Sequence, residues 1–318
     1  MTRGKYLALT GGVGGAKLAL GLTDILTAEQ LEIVVNTADD FCHLGLNICP
    51  DIDTLLYTLS EQNNQQLGWG LAGESWAAMD ALERLGGETW FRLGDRDLAT
   101  HLWRTQALSA GAGLSEVTLD LAKRMGIAHR VHPMTNDPVR TLVHSDEGDL
   151  PFQHYFVRRQ CEPAVSGFSF RGLDAASVNP AVSKLLVGKK IGGIVICPSN
   201  PFVSVDPILK LPGLYEALIE FQIPVVAVSP IVAGMAIKGP AAKMMGELNM
   251  PVTALAVAQH YAQQYPGLLK HFVIDQSDVT LVPQINELGI AAVTTATIMN
   301  TRQDKKALAD FVLHLMES

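Results

Sequence analysis

The tightest constraint on the fold lies between Tyr6 and Val35. Tyr6 to Thr10 is a short apolar run stopped by Gly11-Gly12, Ala16 to Ile25 has helical spacing, and Leu31 to Val35 is apolar and β-branched. A strand, a glycine-rich turn, a helix and a second strand in so short a span make one βαβ unit. Parallel strands joined this way need helices over both faces of their sheet. The expected fold class is therefore α/β, with a Rossmann-like parallel sheet, helices on both faces and a smaller, largely antiparallel insertion.

The rest of the chain supports that expectation. Residues 51–125 are mostly helical in pattern, with stripes at Leu55, Leu56 and Leu59 and at Trp76, Met79 and Leu82. The character changes near Ala128. Arg140 to His144 and Phe152 to Val157 alternate like strands around the turn Ser145–Asp149, and Ala164 to Phe170 reads as another strand. The α/β rhythm then resumes with strands at Ile191–Cys197, Val225–Val228, Phe272–Ile274 and Ala291–Thr294, and a helix over Lys305–Met316. Residues 1–127 and 175–318 are expected to form a nucleotide-binding domain, and 128–174 an antiparallel insertion lobe.

In an open α/β sheet, ligands bind beyond the carboxyl ends of the strands. Unusual chemistry sits at each such end here. Gly11, Gly12, Val13, Gly14 and Gly15 follow the first strand and Lys17 lies just beyond. Glycines let backbone N–H groups approach a phosphate, and the following helix presents its positive end to the same anion. The spacing misses both the P-loop and the G-x-G-x-x-G register, so an NAD-dependent dehydrogenase is disfavoured. A tight turn without a ligand is the plainer alternative. Asn36 follows the second strand, Ser199, Asn200 and Pro201 follow another, and Ser229 precedes Pro230, with Gly234, Lys238 and Gly239 beyond. Asx turns would also account for some of these.

Asp39, Asp40, Asp51 and Asp53 gather between two of these ends. Clustered loop carboxylates are hard oxygen ligands suited to Mg²⁺, although Asp51 or Asp53 alone reads equally as a helix cap. A second charged knot holds Arg92, Asp95, Arg96, Asp97, His101 and Arg104. It is either a capped helix start with a salt-bridged face or a place where Arg92 or Arg96 holds a substrate. His43, His132, His144 and His154 have no Ser or Cys partner at a recognisable spacing, so no nucleophilic triad is expected.

Composition narrows the partners. A net charge of −8 and a pI near 5.6 argue against nucleic acid and anionic membranes. No apolar run nears the roughly 18 residues that span a bilayer, and no secretory leader pattern is visible. The four cysteines, Cys42, Cys49, Cys161 and Cys197, suit neither a disulfide framework nor a zinc site. A cytoplasmic protein is expected.

Taken together, the motifs resemble the 2-phospho-L-lactate transferase family of deazaflavin coenzyme (coenzyme F-420) biosynthesis. The similar stretches are GGVGGAKLALGL at 11–22, VNTADDF at 35–41, ICPDIDTLLYTLS at 48–60, GWG at 68–70 and WFRLGDRDLATHLWRT at 90–105. They continue with PMTNDPVRT at 133–141, FQHYFV at 152–157, PSNPFVSVDPIL at 198–209 and VSPIVAGMAIKGPAAKMM at 228–245. The resemblance implies transfer of a phospho-acid from a guanosine diphosphate-linked donor to the ribityl hydroxyl of the deazaflavin alcohol Fo, with release of GMP and a need for Mg²⁺. It implies a nucleotide site at Gly11–Gly15, Lys17, Asn36, Ser199, Asn200, Pro201 and Ser229. It also implies metal at Asp40 and Asp53, Fo against Asp53 and Arg92, Asp53 as the catalytic group, and a homodimer. Phospholactate, phosphoenolpyruvate and 3-phosphoglycerate donors all remain compatible. A non-catalytic nucleotide-sugar-binding regulator of the same superfamily is the competing reading.

Overall fold

The structure is a computed structural model that describes residues 4–66, 68–236 and 240–317. The strands are β1 (Lys5–Thr10), β2 (Leu31–Val35), β3 (Phe41–His43), β4 (Leu46–Ile48), β5 (Arg130–Pro133), β6 (Arg140–Ser145) and β7 (Gly148–Pro151). They continue with β8 (Val165–Arg171), β9 (Ile191–Ile196), β10 (Val225–Val228), β11 (Ile231–Val232), β12 (Met235–Ala236), β13 (His271–Asp275) and β14 (Ala291–Thr295). Seven of them form one parallel sheet in the order β14-β13-β10-β9-β1-β2-β5. From β1 the chain winds outward through β2 and β5, then returns to β9 and winds the other way. The switch point therefore lies between β1 and β9, paired with Leu7 opposite Ile194 and Leu9 opposite Ile196.

The helices are α1 (Gly12–Thr23), α2 (Pro50–Leu59), α3 (Ala77–Arg84), α4 (Asp95–Ser109), α5 (Leu114–Arg124) and α6 (Pro180–Val187). They continue with α7 (Asp206–Leu209), α8 (Leu214–Glu220), α9 (Ala241–Glu247), α10 (Ala254–Gln264), α11 (Val282–Asn286) and α12 (Arg302–Glu317). Strand residues alternate between two cores, as a two-residue period requires. Tyr6, Ala8, Ile33, Val195 and Val226 pack with α1, α2, α5 and α12. Leu7, Leu9, Val34, Ile194 and Ala227 pack on the other face with α6, α8 and α10. That double cover explains why these strands read as nearly continuous apolar runs. The α3–α4 arm has its own small cluster around Ile48, Met79 and Leu93.

Three sequence expectations change. Arg130–Pro133, expected within the insertion, pairs in parallel with β2 in the large sheet. The insertion sheet itself is β7-β6-β8, antiparallel. Phe152–Val157, expected as a strand, is not one: β7 ends at Pro151 and a π-helical turn covers His154–Arg158. Phe152 and Tyr155 are both buried, and residues three apart share a face in a helix but oppose each other in a strand. Finally, α1 starts at Gly12 rather than Ala16, so the glycines are its first turn.

Candidate active site

Gly11 follows β1 in an extended conformation and Gly12 turns the chain at φ +67°. Only glycine takes that left-handed backbone at no steric cost. The turn also packs closely: a Cβ on Gly14 would lie 2.5 Å from the Pro198 carbonyl oxygen. The amides of this first turn have no helical acceptors and favour an anion. The Gly11 N–H donates to Ser199 Oγ at 3.1 Å, and the Gly12 N–H donates to Asp51 Oδ1 at 2.8 Å. Asp51 and Asp53 stand in the first turn of α2, which begins at Pro50. Asp51 thus serves the positive end of α1, not the start of its own helix.

A cavity of about 730 Å³ opens at this switch point. Gly11 lines it just before α1, Gly12, Val13, Gly14 and Lys17 from α1, and Ser199, Asn200 and Ser204 from the segment after β9. Lys17 Nζ donates to the Met299 carbonyl at 3.0 Å. Asn200 also caps its own turn, with Oδ1 accepting from the Phe202 N–H at 3.0 Å.

Other expected nucleotide residues do not line the cavity. Gly15 is buried, and a Cβ there would lie 2.6 Å from Ser199 Oγ. Asn36 is a buried brace, donating to Asp51 Oδ2 at 3.0 Å and to the Val203 carbonyl at 3.3 Å. Pro201 starts a π-helical turn, Pro201–Val205. Ser229 closes its own loop through the Ile231 N–H and carbonyl. Lys238 and Gly239 lie outside the described residues.

Four carboxylates line the cavity: Asp39, Asp51, Asp53 and Asp97. Burial, and next the nearby Asp51 charge, push the Asp39 carboxyl well above its usual range. Burial also raises Asp51 to about 6. Asp39 Oδ1 is buried with no hydrogen-bond partner among the described residues. Two acids forced together without a counter-charge make a place where a hard cation would be stabilised. Asp40, expected as a metal ligand, is outside the lining, and burial raises its carboxyl to about 7.

Asp53 is differently placed. Both its oxygens are held by the buried guanidinium of Arg104, Oδ2 at 3.0 Å from Nη1 and Oδ1 bonded to Nη2. Arg104 Nη1 also lies 3.2 Å from His101 Nδ1. Arginine is always a donor, so His101 Nδ1 accepts, and the neutral ring carries its hydrogen on Nε2. Ligand atoms of Asp53, Asp97 and His101 all lie within 4.8 Å of one another. That geometry suits a metal, but the chemistry does not. Arg104 already balances Asp53, and the Nε2 hydrogen blocks the lone pair a metal would need. The uncompensated Asp39–Asp51 pair is the better cation position.

Part of the cavity wall is aromatic. Tyr57, Trp69, Trp90, Phe91, Phe152 and Phe156 line it. Phe152 and Phe156 stack with centroids 5.6 Å apart, and the Trp90 and His154 rings meet edge-on at 4.7 Å. Arg92 also lines the cavity, over Trp76 and bonded to Asp80 Oδ1 at 2.5 Å. Sequence reasoning did not assign Tyr57, Asp97, His101 or these aromatics to the site. One signal was available: Asp97, His101 and Arg104, at i, i+4 and i+7, share a helix face. The charged knot also resolves. Asp95 caps α3, accepting from the Ala77 and Ala78 N–H groups at 3.1 and 3.0 Å. Glu74 caps α4 in return, accepting from the Arg96 and Asp97 N–H groups at 2.8 Å each.

A doubly wound sheet with an anion-ready helix start and carboxylates at its switch point defines an α/β enzyme of the Rossmann-like class. The chain belongs to the 2-phospho-L-lactate transferase CofD family, whose model matches residues 7–299. That membership makes it a transferase of phospho-acid transfer in coenzyme F-420 biosynthesis. It is 37% identical over 307 residues to a 2-phospho-L-lactate transferase of Methanosarcina mazei, covering 96% of this chain and 99% of the relative. It is 36% identical over 318 residues to a phosphoenolpyruvate transferase of Streptomyces griseus, covering 98% of each. A solved structure of a UPF0052 family protein from Bacillus halodurans has the same fold, with a TM-score of 0.65 at 15% identity, covering 98% of this chain and 99% of that one. Among the described residues, no helix is long and apolar enough to cross a membrane.

Proposed function

We propose that the donor is a guanosine diphosphate-linked phospho-acid, that the acceptor is the ribityl hydroxyl of Fo, and that GMP is released in a Mg²⁺-dependent reaction. One observation carries this reading: a single cavity is lined by the first turn of α1, four carboxylates and a set of aromatic rings. The diphosphate would lie on the Gly12–Gly14 turn, with Lys17 near it. The deazaflavin ring would lie among Trp90, Phe152 and Phe156, with Arg92 at its side. The hydroxyl would then meet the donor phosphorus beside Asp53.

Asp39 and Asp51 would hold Mg²⁺, because neither is paired with a cationic side chain among the described residues, Asp39 Oδ1 has no hydrogen bond, and carboxylate oxygens suit a hard ion. The ion would neutralise charge on the diphosphate. Asp53, tied to Arg104, contributes a fixed charge near the acceptor rather than a free base. The acid carried by the donor is of the lactate, enolpyruvate or glycerate type, and the working unit is a cytoplasmic homodimer.

The test incubates the protein with Mg²⁺, Fo and each donor, and reads the product by mass spectrometry. A phosphodiester of Fo is expected with at least one donor. Its absence with all three sinks the proposal. Titration of Fo alone separates the enzyme from a nucleotide-binding regulator, since only the enzyme should shift the deazaflavin absorbance. Light scattering checks the dimer.

A further inference from the structure

We propose that Asp97, not Asp53, accepts the hydrogen bond from the acceptor's hydroxyl. This deepens the reading above and rests on it. Three features of the geometry converge on Asp97.

The first is availability. Asp97 lines the cavity. Tyr57 donates its hydroxyl to Asp97 Oδ1 at 2.5 Å, and His101 Nε2 lies 3.2 Å from the same oxygen. Oδ2 has no hydrogen bond to any described residue. Asp53, by contrast, has both oxygens on Arg104 and its charge balanced there. Beside Asp53, a neutral hydroxyl meets a carboxylate oxygen without a hydrogen bond to any described residue, Asp97 Oδ2.

The second is orientation. Arg104 fixes the His101 tautomer with its hydrogen on Nε2, which lies 3.2 Å from Asp97 Oδ1 without completing a hydrogen bond. Tyr57 holds the carboxylate by Oδ1, with His101 beside that same oxygen, and Oδ2 is left without a bond.

The third is the support beneath it. Glu74 accepts from the backbone N–H groups of both Arg96 and Asp97. Gly94 permits this approach, since a Cβ there would come within 2.5 Å of Glu74 Oε2. Asp95 returns the cap to α3. The two helix starts clasp each other, and the clasp sets where Asp97 stands. Glu74 is therefore a positioning residue for Asp97.

The test compares wild type with Asp97→Asn, Tyr57→Phe and Glu74→Gln. In Asp97→Asn the one remaining oxygen is claimed by Tyr57, leaving an amide NH₂ toward the substrate. Misplacing a reacting group costs on the order of 100-fold, so kcat/KM for the acceptor should fall by about that factor. GDP affinity, read by calorimetry, should stay unchanged. Tyr57→Phe and Glu74→Gln should show smaller losses of the same kind. Asp97→Asn within about threefold of wild type overturns the inference. So does a loss of GDP affinity and melting temperature in parallel with activity, which marks a purely structural role. A wild type that makes no phosphodiester sinks the transfer reading itself and this inference with it. An active wild type with an equally active Asp97→Asn sinks the inference alone.

Discussion

Asp53→Asn should destabilise the protein as well as silence it. Arg104 is 1% exposed and sits against Asp53, with the Asn47 carbonyl at 3.3 Å and His101 Nδ1 at 3.2 Å as its other partners. The substitution leaves a guanidinium charge in the interior without its counter-ion. Breaking a buried pair from one side costs about 3–5 kcal/mol. Asparagine keeps one acceptor oxygen, so the lower end, about 3 kcal/mol, is expected. At about 2–4 °C per kcal/mol for larger domains, the melting temperature should fall by about 6–12 °C. Circular dichroism melts and urea unfolding read this directly. Adding Arg104→Met in the Asp53→Asn background should recover more than half of the loss, because an apolar replacement removes the stranded charge. A single variant that melts within about 1 °C of wild type refutes the reasoning. So does a double variant no more stable than the single one. Activity of Asp53→Asn must be measured well below its own melting point, or unfolding will pass for lost chemistry.

Other predictions follow from the same geometry. The Asp40 carboxyl is raised from 3.8 to about 7 by burial, so the stability its protonated form contributes is complete below about 3.8 and lost as pH rises through about 7. Asp40→Asn should therefore melt higher than wild type at pH 8 and alike near pH 4; equal melts at both values would remove burial as the cause. Gly14→Ala drives a methyl toward the Pro198 carbonyl. Overpacking costs about 1–3 kcal/mol, so GDP affinity and melting temperature should both fall, and calorimetry showing neither change would argue that the turn has slack. Trp90→Ala should raise the KM for Fo several-fold, from about 0.5–1.5 kcal/mol of lost aromatic contact, with donor KM untouched. Equal effects on both substrates would place the aromatic pocket elsewhere.

Much of the fold was legible because each layer of the sheet is written locally. β1, the glycine turn, α1 and β2 follow one another in the chain, and a strand buried on both faces announces itself as an apolar run. The carboxyl-end rule then pointed to the crevice where the cavity opens. The strand misread at Phe152–Val157 shows the limit. A short apolar alternation does not say which of its residues will be buried together, and Tyr155 was decided by packing on the insertion lobe.

The site divides the same way. The sequence by itself determined the βαβ start, the glycine turn, the acidic stretch and, through long ordered motifs, the family. Tertiary structure decided what each charged residue does there. Asp51 reaches across to the α1 amides and Arg104 reaches back 51 positions to claim Asp53. Glu74 and Asp95 each cap the other's helix. Spacing along the chain carries no record of such partners. A carboxylate's role depends on which opposite charge or N–H lies within about 3 Å, and only the folded chain settles that.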